Sequence, residues 1–251
     1  MNATTTKARQ TAVQAPPITR AMVLAAGLGT RMRAVSGDLP KPLVKVAGKA
    51  LIDHVLDRLA AAGVEEAVVN LHYKAEAIEA HLKSRRVPRI AFSDERGQLL
   101  DTGGGVAKAL PHFKGEPFFY SNSDTVWREG ARSSLADMRA MWDAERMDAL
   151  MLVAPTVRST GYEGRGDFTM DREGHLTRRE EKRVAPFVWA GVQIVHPRLF
   201  EGAPQGAFST NVLWDRAAKA NRLFGIRLEG LWMHVGSPDG LKAAEAALQE
   251  R

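Results

Sequence analysis

The chain of 251 residues contains no cysteine and no long uncharged apolar run. Without cysteine it cannot form disulfides, thiolate metal sites or thiol nucleophiles, so its chemistry must come from oxygen and nitrogen groups. A membrane span needs roughly 18 to 20 uncharged apolar residues, and a signal peptide needs an apolar run near the N-terminus. Because neither pattern is present, we expect a cytoplasmic protein with no membrane partner.

A strong excess of positive charge is also missing, although the formal net charge is +6. Residues 1–20 carry three basic residues and no acid, so only three excess charges remain for the rest of the chain. Nucleic-acid-binding domains normally show a concentrated basic stripe, so we expect a small polyanionic ligand and no nucleic-acid partner. Residues 1–18 are rich in Thr, Ala and Gln, which predicts a disordered tail ahead of one domain at 19–251.

Strand-like apolar stretches alternate with helical patterns in the first half of the chain. The predicted strands lie at 18–26, 65–72, 88–94 and 118–124, and the predicted helices between them lie at 52–63, 74–85 and 104–110. This order implies right-handed crossovers, so we expect an α/β fold in which a Rossmann-like mixed, mostly parallel sheet is flanked by helices in a single domain. Ligands of such folds bind at the carboxyl ends of the strands.

The second half of the chain is less regular. The predicted strands lie at 150–155, 167–171, 187–197 and 230–235, and the predicted helices lie at 136–144, 208–220 and 239–251. A segment rich in glycine and charge, residues 156–186, is expected to cover the end of the sheet.

A glycine-rich stretch, LAAGLGTRMRAVSGDLPKPL at 24–43, follows the first predicted strand. Its glycines permit backbone conformations in which several N–H groups converge on phosphate oxygens. No Lys-Ser or Lys-Thr follows Gly29 at the Walker A spacing, and Met32 stands where a dinucleotide fingerprint needs Gly or Ala. Two cations follow instead, Arg31 and Lys41, and the prolines beside Lys41 keep its backbone extended. The stretch therefore predicts a phosphate-binding loop of another kind.

This stretch resembles the signature of the sugar-nucleotide pyrophosphorylases, the sugar-1-phosphate nucleotidyltransferases, which reads LAAGxGTRMxPLTxxxPKPLxPV. The present chain has LAAGLGTRMRAVSGDLPKPLVKV, with Ala34 at an expected proline and Ser36 near an expected threonine. Both departures lie in the middle of the motif and leave its glycines and cations in place. The resemblance extends over roughly residues 20–250 and implies the nucleotidyltransferase fold of this family for the domain at 19–251.

The resemblance implies a role for each of the two cations of the motif. Arg31 is expected to grip the β and γ phosphates of a nucleoside triphosphate, and Lys41 to contact phosphate near the reacting α-phosphorus. Phosphoryl chemistry depends on positioning and charge neutralisation, which such cations supply. A second segment, DTGGG at 101–105, resembles the family's glycine segment beside the nucleobase. The expected nucleotide-binding residues are Leu24, Ala25, Ala26, Gly27, Gly29, Thr30, Arg31, Thr102, Gly103 and Gly104.

Two further segments bear on a metal cofactor. YSNSD at 120–124 resembles the family's NGD and implies that Asp124 binds Mg²⁺, which proteins usually hold through carboxylate, phosphate and water oxygens. The family's second carboxylate lies in a W-x-D-x-G-T-P segment, but the present chain has WMHVGSPDG, with His234 at that position. Imidazole is a poorer ligand for Mg²⁺ than carboxylate. His234 is therefore expected to bind a transition metal, to bond to phosphate, or only to pack.

The expected sugar-phosphate site also follows from the resemblance. Relatives place a Glu-Lys pair against the sugar phosphate, which matches Glu181 and Lys182 within the charged run RREEKR. WAGVQI at 189–194 resembles the strand beneath the sugar and suggests Gly191, and Asn211 is a further candidate. Relatives also often have a glutamate at the position of Glu95, to which no role is assigned.

Within the family the chain most resembles the short uridylyltransferases. The expected partners are therefore a nucleoside triphosphate and a sugar 1-phosphate, with UTP and N-acetylmuramic acid 1-phosphate as the first expectation. A mannose-1-phosphate guanylyltransferase is the alternative within the class. A glycosyltransferase and a non-catalytic nucleotide-binding regulatory protein are alternatives from other classes, although Asn122 breaks the Asp-x-Asp of the former. The sequence leaves open whether the chain forms a homo-oligomer.

Overall fold

The computed structural model describes residues 17–249 of the chain. The predicted tail lies outside the described residues except for its last two, and the second of these, Ile18, is buried in the core. Within residues 17–249 no helix is long and apolar enough to cross a membrane.

Thirteen strands are formed in the described part of the chain. They are β1 (Arg20–Leu24), β2 (Lys45–Val46), β3 (Lys49–Ala50), β4 (Glu66–Leu71), β5 (Arg89–Asp94), β6 (Phe118–Asn122), β7 (Thr125–Arg128), β8 (Ala149–Pro155), β9 (Phe168–Met170), β10 (Leu176–Arg178), β11 (Phe187–Val195), β12 (Leu223–Arg227) and β13 (Leu231–His234).

Seven α-helices and five 3₁₀ helices connect these strands in the same part of the chain. The α-helices are α1 (Arg33–Ser36), α2 (Leu51–Ala61), α3 (Ala75–Leu82), α4 (Asp101–Ala109), α5 (Ser134–Met141), α6 (Asn211–Lys219) and α7 (Pro238–Gln249). The 3₁₀ helices span Thr30–Met32, Lys41–Leu43, Leu110–Phe113, Thr156–Arg158 and Pro197–Phe200.

The central sheet is mixed, with strand order β10-β9-β11-β6-β1-β4-β5, and β8 joins β11 to β12. Strands β6, β1, β4 and β5 run parallel, whereas β11 is antiparallel to β6 and to β8. The parallel strands are connected through helices, and β1 is apolar on both faces because helices cover both sides of it. The carboxyl ends of β1, β4 and β6 therefore meet at one edge of the sheet.

Alternate residues of each strand enter different apolar clusters. Val23 on β1 packs in the cluster that includes α2, α3 and α5, whereas its neighbour Met22 packs in the cluster that includes α4 and α6. A third cluster joins Met32, just after the glycine-rich loop, to Met233 on β13 and Ala244 on α7. This third cluster anchors the loop on elements from the far end of the chain.

Most predicted elements of the first half are present with ends shifted by a few residues, but several elements differ. Helix α4 begins at Asp101, before the glycines, whereas the prediction began it at Gly104. Strands β7 and β12 were not predicted. Residues 156–186, expected to cover the end of the sheet and to contain one strand at 167–171, contain the antiparallel pair β9 and β10.

Candidate active site

Two adjoining cavities lie at the carboxyl edge of the parallel strands. The first has a volume of about 270 Å³ and the second about 280 Å³. Lys41, Asn122 and Asp124 line both cavities, so the two spaces meet at these side chains. The position agrees with the rule that open α/β sheets bind ligands beyond the carboxyl ends of their strands.

The first cavity is bounded by three loops, each of which follows a parallel strand. The loop after β1 forms one wall, the segment between β5 and α4 forms the opposite wall, and the residues after β6 close the end next to the second cavity. The lining residues are Leu24, Ala25, Ala26, Gly27, Gly29, Lys41, Pro42, Asn70, Leu99, Asp101, Thr102, Asn122, Ser123 and Asp124.

Gly29 allows the loop and the lysine segment to approach each other closely. Its φ of +59° lies in the left-handed region, and a Cβ added to it would lie 3.0 Å from the Cβ of Lys41. A side chain at this position would therefore be strained and would push Lys41 away. The loop is held from below by Met32, which is buried and whose N–H donates to the Gly29 carbonyl at 2.9 Å.

The side chains of Lys41 and Asp124 form an ion pair at the junction of the cavities. Lys41 Nζ donates to Asp124 Oδ2 at 2.5 Å, and the side chains are 15% and 31% exposed. Lys41 starts a 3₁₀ helix whose next residue, Pro42, is buried, so the backbone of the lysine is fixed. Asp124 follows the end of β6. The pair places one cation and one anion where groups bound in both cavities can reach them.

Asp124 fits a divalent cation that enters with a phosphate ligand. Its carboxylate borders both cavities and remains partly exposed, although Lys41 contacts one of its oxygens. A hard cation such as Mg²⁺ is commonly held by one or two carboxylates together with phosphate oxygens and water. A single carboxylate beside a phosphate-binding loop therefore supplies a suitable donor set.

His234 lies near this ion pair on β13, which pairs with β7 so that His234 is opposite Thr125. Its ring packs over Gly236, where an added Cβ would lie 2.2 Å from Nε2, and it makes an edge contact with Tyr162. The pKa of His234 lies below its usual value. Burial is the largest cause, and the positive charges of Lys41 and Arg31 also lower the pKa, whereas the Asp124 carboxylate raises it. The imidazole is therefore neutral at pH 7 and keeps a nitrogen lone pair.

The second cavity is bounded mainly by side chains from distant segments. Its lining residues are Arg31, Lys41, Asn122, Asp124, Thr125, Tyr162, Asp167, Val188, Trp189, Gly191, Trp232, Met233, His234 and Val235. Asp167 accepts a hydrogen bond from the Trp189 N–H at 3.0 Å, which joins the segment before β9 to β11. The cavity therefore offers aromatic rings, two carboxylates, an arginine and a lysine.

Gly191 lies at an irregularity in β11. The pairing of β11 with β8 shifts between Trp189 and Gln193, as in a β-bulge. Gly191 has a φ of +84°, and an added Cβ would lie 2.8 Å from the Cβ of Thr125. Thr125 Oγ1 donates to the Ala190 carbonyl and accepts from the Trp232 indole N–H at 3.1 Å. A larger residue at 191 would therefore disturb the floor of the second cavity.

The structure brings together most of the residues predicted from the phosphate-loop motif. The first cavity is lined by the loop residues 24–27 and by Gly29 and Thr102. Arg31, Gly191 and His234 line the second cavity instead. Lys41 and Asp124, which line both cavities, connect the two groups.

Six predicted residues are not among those lining either cavity. Gly103 and Gly104 are buried, and Cβ atoms at these positions would lie within 2.3 Å of the Phe208 ring and the Gly206 carbonyl. They allow α4 to pack on that segment. The other four are Thr30 on a 3₁₀ helix, Asn211 at the start of α6, and the exposed Glu181 and Lys182 between β10 and β11.

Several lining residues were not predicted. Asn70 could have been suspected, because it is a polar residue at the end of a predicted buried strand, where ligands of parallel sheets bind. Tyr162 and Asp167 lie in residues 156–186, the segment expected to cover the end of the sheet, but neither was named as a site residue. Trp189 and Trp232 are the first residues of the segments WAGVQI and WMHVGSPDG, in which only Gly191 and His234 were predicted as site residues. The strand pairings that bring the two rings to the cavity link residues far apart in the chain.

Comparison with known proteins places the chain among nucleotidyltransferases. The family model of the MobA-like NTP transferase domain matches residues 21–220. The chain is 49% identical over 241 residues to the N-acetylmuramate alpha-1-phosphate uridylyltransferase of Caulobacter vibrioides, covering 94% of this chain and 99% of the relative. It is 30% identical to a probable mannose-1-phosphate guanylyltransferase of Arabidopsis thaliana, covering 87% of this chain and 62% of that protein.

A solved structure has the same fold. The inositol-1-phosphate CTP transferase from T. maritima superposes with a TM-score of 0.73, at 17% sequence identity, covering 94% of this chain and 98% of the other. The expected nucleotidyltransferase fold with a mixed central sheet is thereby confirmed.

Proposed function

The chain belongs to the family of MobA-like NTP transferase domains, and from this premise we propose that it transfers a uridylyl group from UTP to N-acetylmuramic acid α-1-phosphate and releases pyrophosphate. The observation that carries the proposal is the pair of cavities that meet at Lys41 and Asp124. A reaction that joins two phosphorylated substrates needs two adjacent sites, with charged groups between them that stabilise the charge on the reacting phosphates. The relative that is 49% identical over nearly its full length supports the choice of substrates.

The nucleotide occupies the first cavity. Its base lies by the wall formed by Leu99, Asp101 and Thr102, and its phosphates run along the backbone of the glycine-rich loop. Backbone N–H groups in such loops suit phosphate oxygens. The α-phosphorus then lies at the junction, close to Lys41 and Asp124.

The sugar phosphate occupies the second cavity, where Lys41 offsets its charge and the aromatic side chains contact the sugar. Arg31, expected from the sequence to bind the β and γ phosphates of the nucleotide, lines this second cavity and is proposed to offset the charge of the sugar phosphate as well. One of its phosphate oxygens attacks the α-phosphorus, the new P–O bond forms, and the bond to the β-phosphate oxygen breaks. Pyrophosphate leaves with that electron pair. The attacking phosphate is already ionised at neutral pH, so no general base is required, and one displacement inverts the configuration at phosphorus.

Mg²⁺ is the proposed cofactor, and Asp124 is its proposed protein ligand, with His234 nearby. When bound, the cation would neutralise charge on the phosphates of the nucleotide. The chain's own contribution at this point is the carboxylate of Asp124, held in place by Lys41 at 2.5 Å. The lysine also keeps a positive charge beside the reacting groups, whether or not the metal is bound.

The test is a matrix of the four nucleoside triphosphates against N-acetylmuramic acid 1-phosphate, mannose 1-phosphate and glucose 1-phosphate, read by pyrophosphate release. We expect turnover with UTP and N-acetylmuramic acid 1-phosphate to exceed every other combination by about tenfold or more, because buried polar groups matched to one base are left unsatisfied by another. A preference for GTP with mannose 1-phosphate would replace the proposal with the guanylyltransferase activity. Nucleotide binding without turnover would indicate a regulatory protein.

A further inference from the structure

A buried chain of hydrogen bonds connects the two walls of the first cavity. The Ala25 N–H, at the start of the glycine-rich loop, donates to Asn70 Oδ1 at 2.7 Å. Asn70 Nδ2 donates to Glu95 Oε1 at 2.7 Å. Glu95 Oε2 accepts from the Leu100 N–H at 3.1 Å. Asn70 is 2% exposed and Glu95 is 1% exposed, so water does not compete for these bonds.

The two ends of this chain of bonds are both backbone donors. The groups between them must therefore supply two more acceptors than donors along the path. The amide of Asn70 supplies one of each, and the carboxylate of Glu95 supplies two acceptors, so every group on the path is matched. A buried donor without an acceptor is costly, which makes the identity of both side chains important.

The surrounding structure is shaped to hold these two side chains. A Cβ added to Gly105 on α4 would lie 2.8 Å from both Asn70 Nδ2 and Glu95 Oε1, so only glycine leaves room for them. The backbone of Glu95 is also fixed, because its N–H donates to the Leu71 carbonyl at 2.7 Å and its carbonyl bonds to His72 Nδ1 at 2.7 Å. Glu95 is therefore held at both its backbone and its side chain.

The two ends of the path are the two sides of the nucleotide site. Ala25 lines the phosphate side of the first cavity, and Leu100 lies between Leu99 and Asp101, which line the opposite side. Neither Asn70 nor Glu95 is among the residues that line the second cavity. The bonds thus set the separation of the two nucleotide-binding walls without contacting the sugar phosphate.

We propose that Asn70 and Glu95 act together as positioning residues that keep the phosphate loop and the base-binding wall at the spacing that the nucleoside triphosphate requires. The inference rests on the proposed function for the identity of the nucleotide. If the two residues have this role, a change at either one weakens nucleotide binding and leaves sugar-phosphate binding unchanged.

The test uses Glu95→Gln, which replaces one carboxylate oxygen by an NH₂ donor and leaves a donor facing a donor. We expect KM for UTP to rise by about tenfold, since one buried hydrogen bond is lost. KM for the sugar phosphate should stay within about twofold of the wild-type value, and kcat within about threefold.

The double variant Asn70→Asp with Glu95→Gln reverses the direction of the middle bond. The aspartate accepts from both the Ala25 N–H and the new amide, and the glutamine oxygen accepts from the Leu100 N–H, so all groups are again matched. We expect KM for UTP to return to within about threefold of wild type. This double variant also decides the matter if Glu95→Gln alone does not fold.

Asp148→Asn is the control for a partly buried carboxylate that lies away from the active site; the side chain of Asp148 is 15% exposed. Asp148 accepts from the Nε atoms of Arg198 and Arg222 at 2.5 and 2.8 Å. It precedes β8, which runs in the same direction as β6, so it lies at the sheet edge opposite the active site. Its replacement should lower the melting temperature with both KM values unchanged.

Three results would overturn the inference: an unchanged KM for UTP in Glu95→Gln, equal increases in both KM values, or no recovery in the double variant. If the wild-type protein turns over no substrate pair, the proposed function fails separately. The positioning role is then tested by calorimetry with UTP alone, where a roughly tenfold weaker Kd in Glu95→Gln supports it and an equal Kd contradicts it.

Discussion

The two cavities of the active site are built in different ways. The first is lined mainly by loops that follow parallel strands, and buried bonds through Asn70 and Glu95 connect its walls. The second is lined by residues from two 3₁₀ helices, from the end of β6, from β7, β11 and β13, and from the segment before β9. The difference shows that a cavity suited to phosphates, which many substrates share, can be encoded in a short motif. The cavity proposed for the sugar phosphate, which varies between substrates, depends instead on strand pairings between distant segments.

Asp124, one of the three residues that line both cavities, should show the largest effect of any single change. Asp124→Asn keeps the shape of the side chain but removes the charge that pairs with Lys41 and that is proposed to bind the cation. We expect turnover to fall by about 10³-fold or more with every substrate pair, measured by pyrophosphate release with Mg²⁺ varied. An unchanged circular dichroism spectrum would show that the fold is kept. Near-normal turnover at low Mg²⁺ would contradict the assignment.

The cations beside Asp124 come next. Lys41→Ala and Arg31→Ala should each lower kcat/KM by about 10² to 10³, or roughly 3 to 4 kcal/mol, because each removes a positive charge from phosphate in a partly water-excluded site. Arg33→Ala is the matched control, because Arg33 is not among the residues lining either cavity and its guanidinium lies 5.9 Å from the Tyr73 ring. A loss below fivefold for Lys41 or Arg31 would mean that phosphate binds elsewhere.

The smallest expected effect is confined to the second cavity. His234→Asp should lower the Mg²⁺ concentration needed for half-maximal activity and should shift the metal preference away from Mn²⁺, because a carboxylate suits the harder ion. The measurement is a titration of activity with each metal at saturating substrates. The same profile in wild type and variant would assign His234 a packing role against Tyr162 and Gly236.

The contrast between the cavities also explains how far the sequence could be interpreted. Strands β1, β4, β5 and β6 were predictable because they are apolar runs separated by helical patterns, and the phosphate loop was predictable because its residues are close together in sequence. Strand β7 was not, since its partner β13 lies more than 100 residues away and nothing local to TVWR distinguishes a strand from a turn.

The glycines of α4 illustrate the same limit. Three successive glycines disfavour a helix by intrinsic propensity, and the prediction began the helix only at Gly104. The structure contains them within the helix, because Gly103 and Gly104 let it pack on residues 206–208 and Gly105 leaves room for Asn70 and Glu95. The glycine segment was recognised from a motif, but its packing role depends on segments about 100 residues later and on two strand ends.

The third apolar cluster bears on when, during its synthesis, the chain becomes able to bind a nucleotide. Met32, directly after the phosphate loop, shares this cluster with Met233 and with Ala244 on α7. The ribosome makes α7 long after the loop and after the parallel strands, and contacts between distant segments form late in folding. A nascent chain can therefore assemble its sheet while part of the support of the loop is still missing, and we expect nucleotide binding to reach full strength only after α7 has emerged.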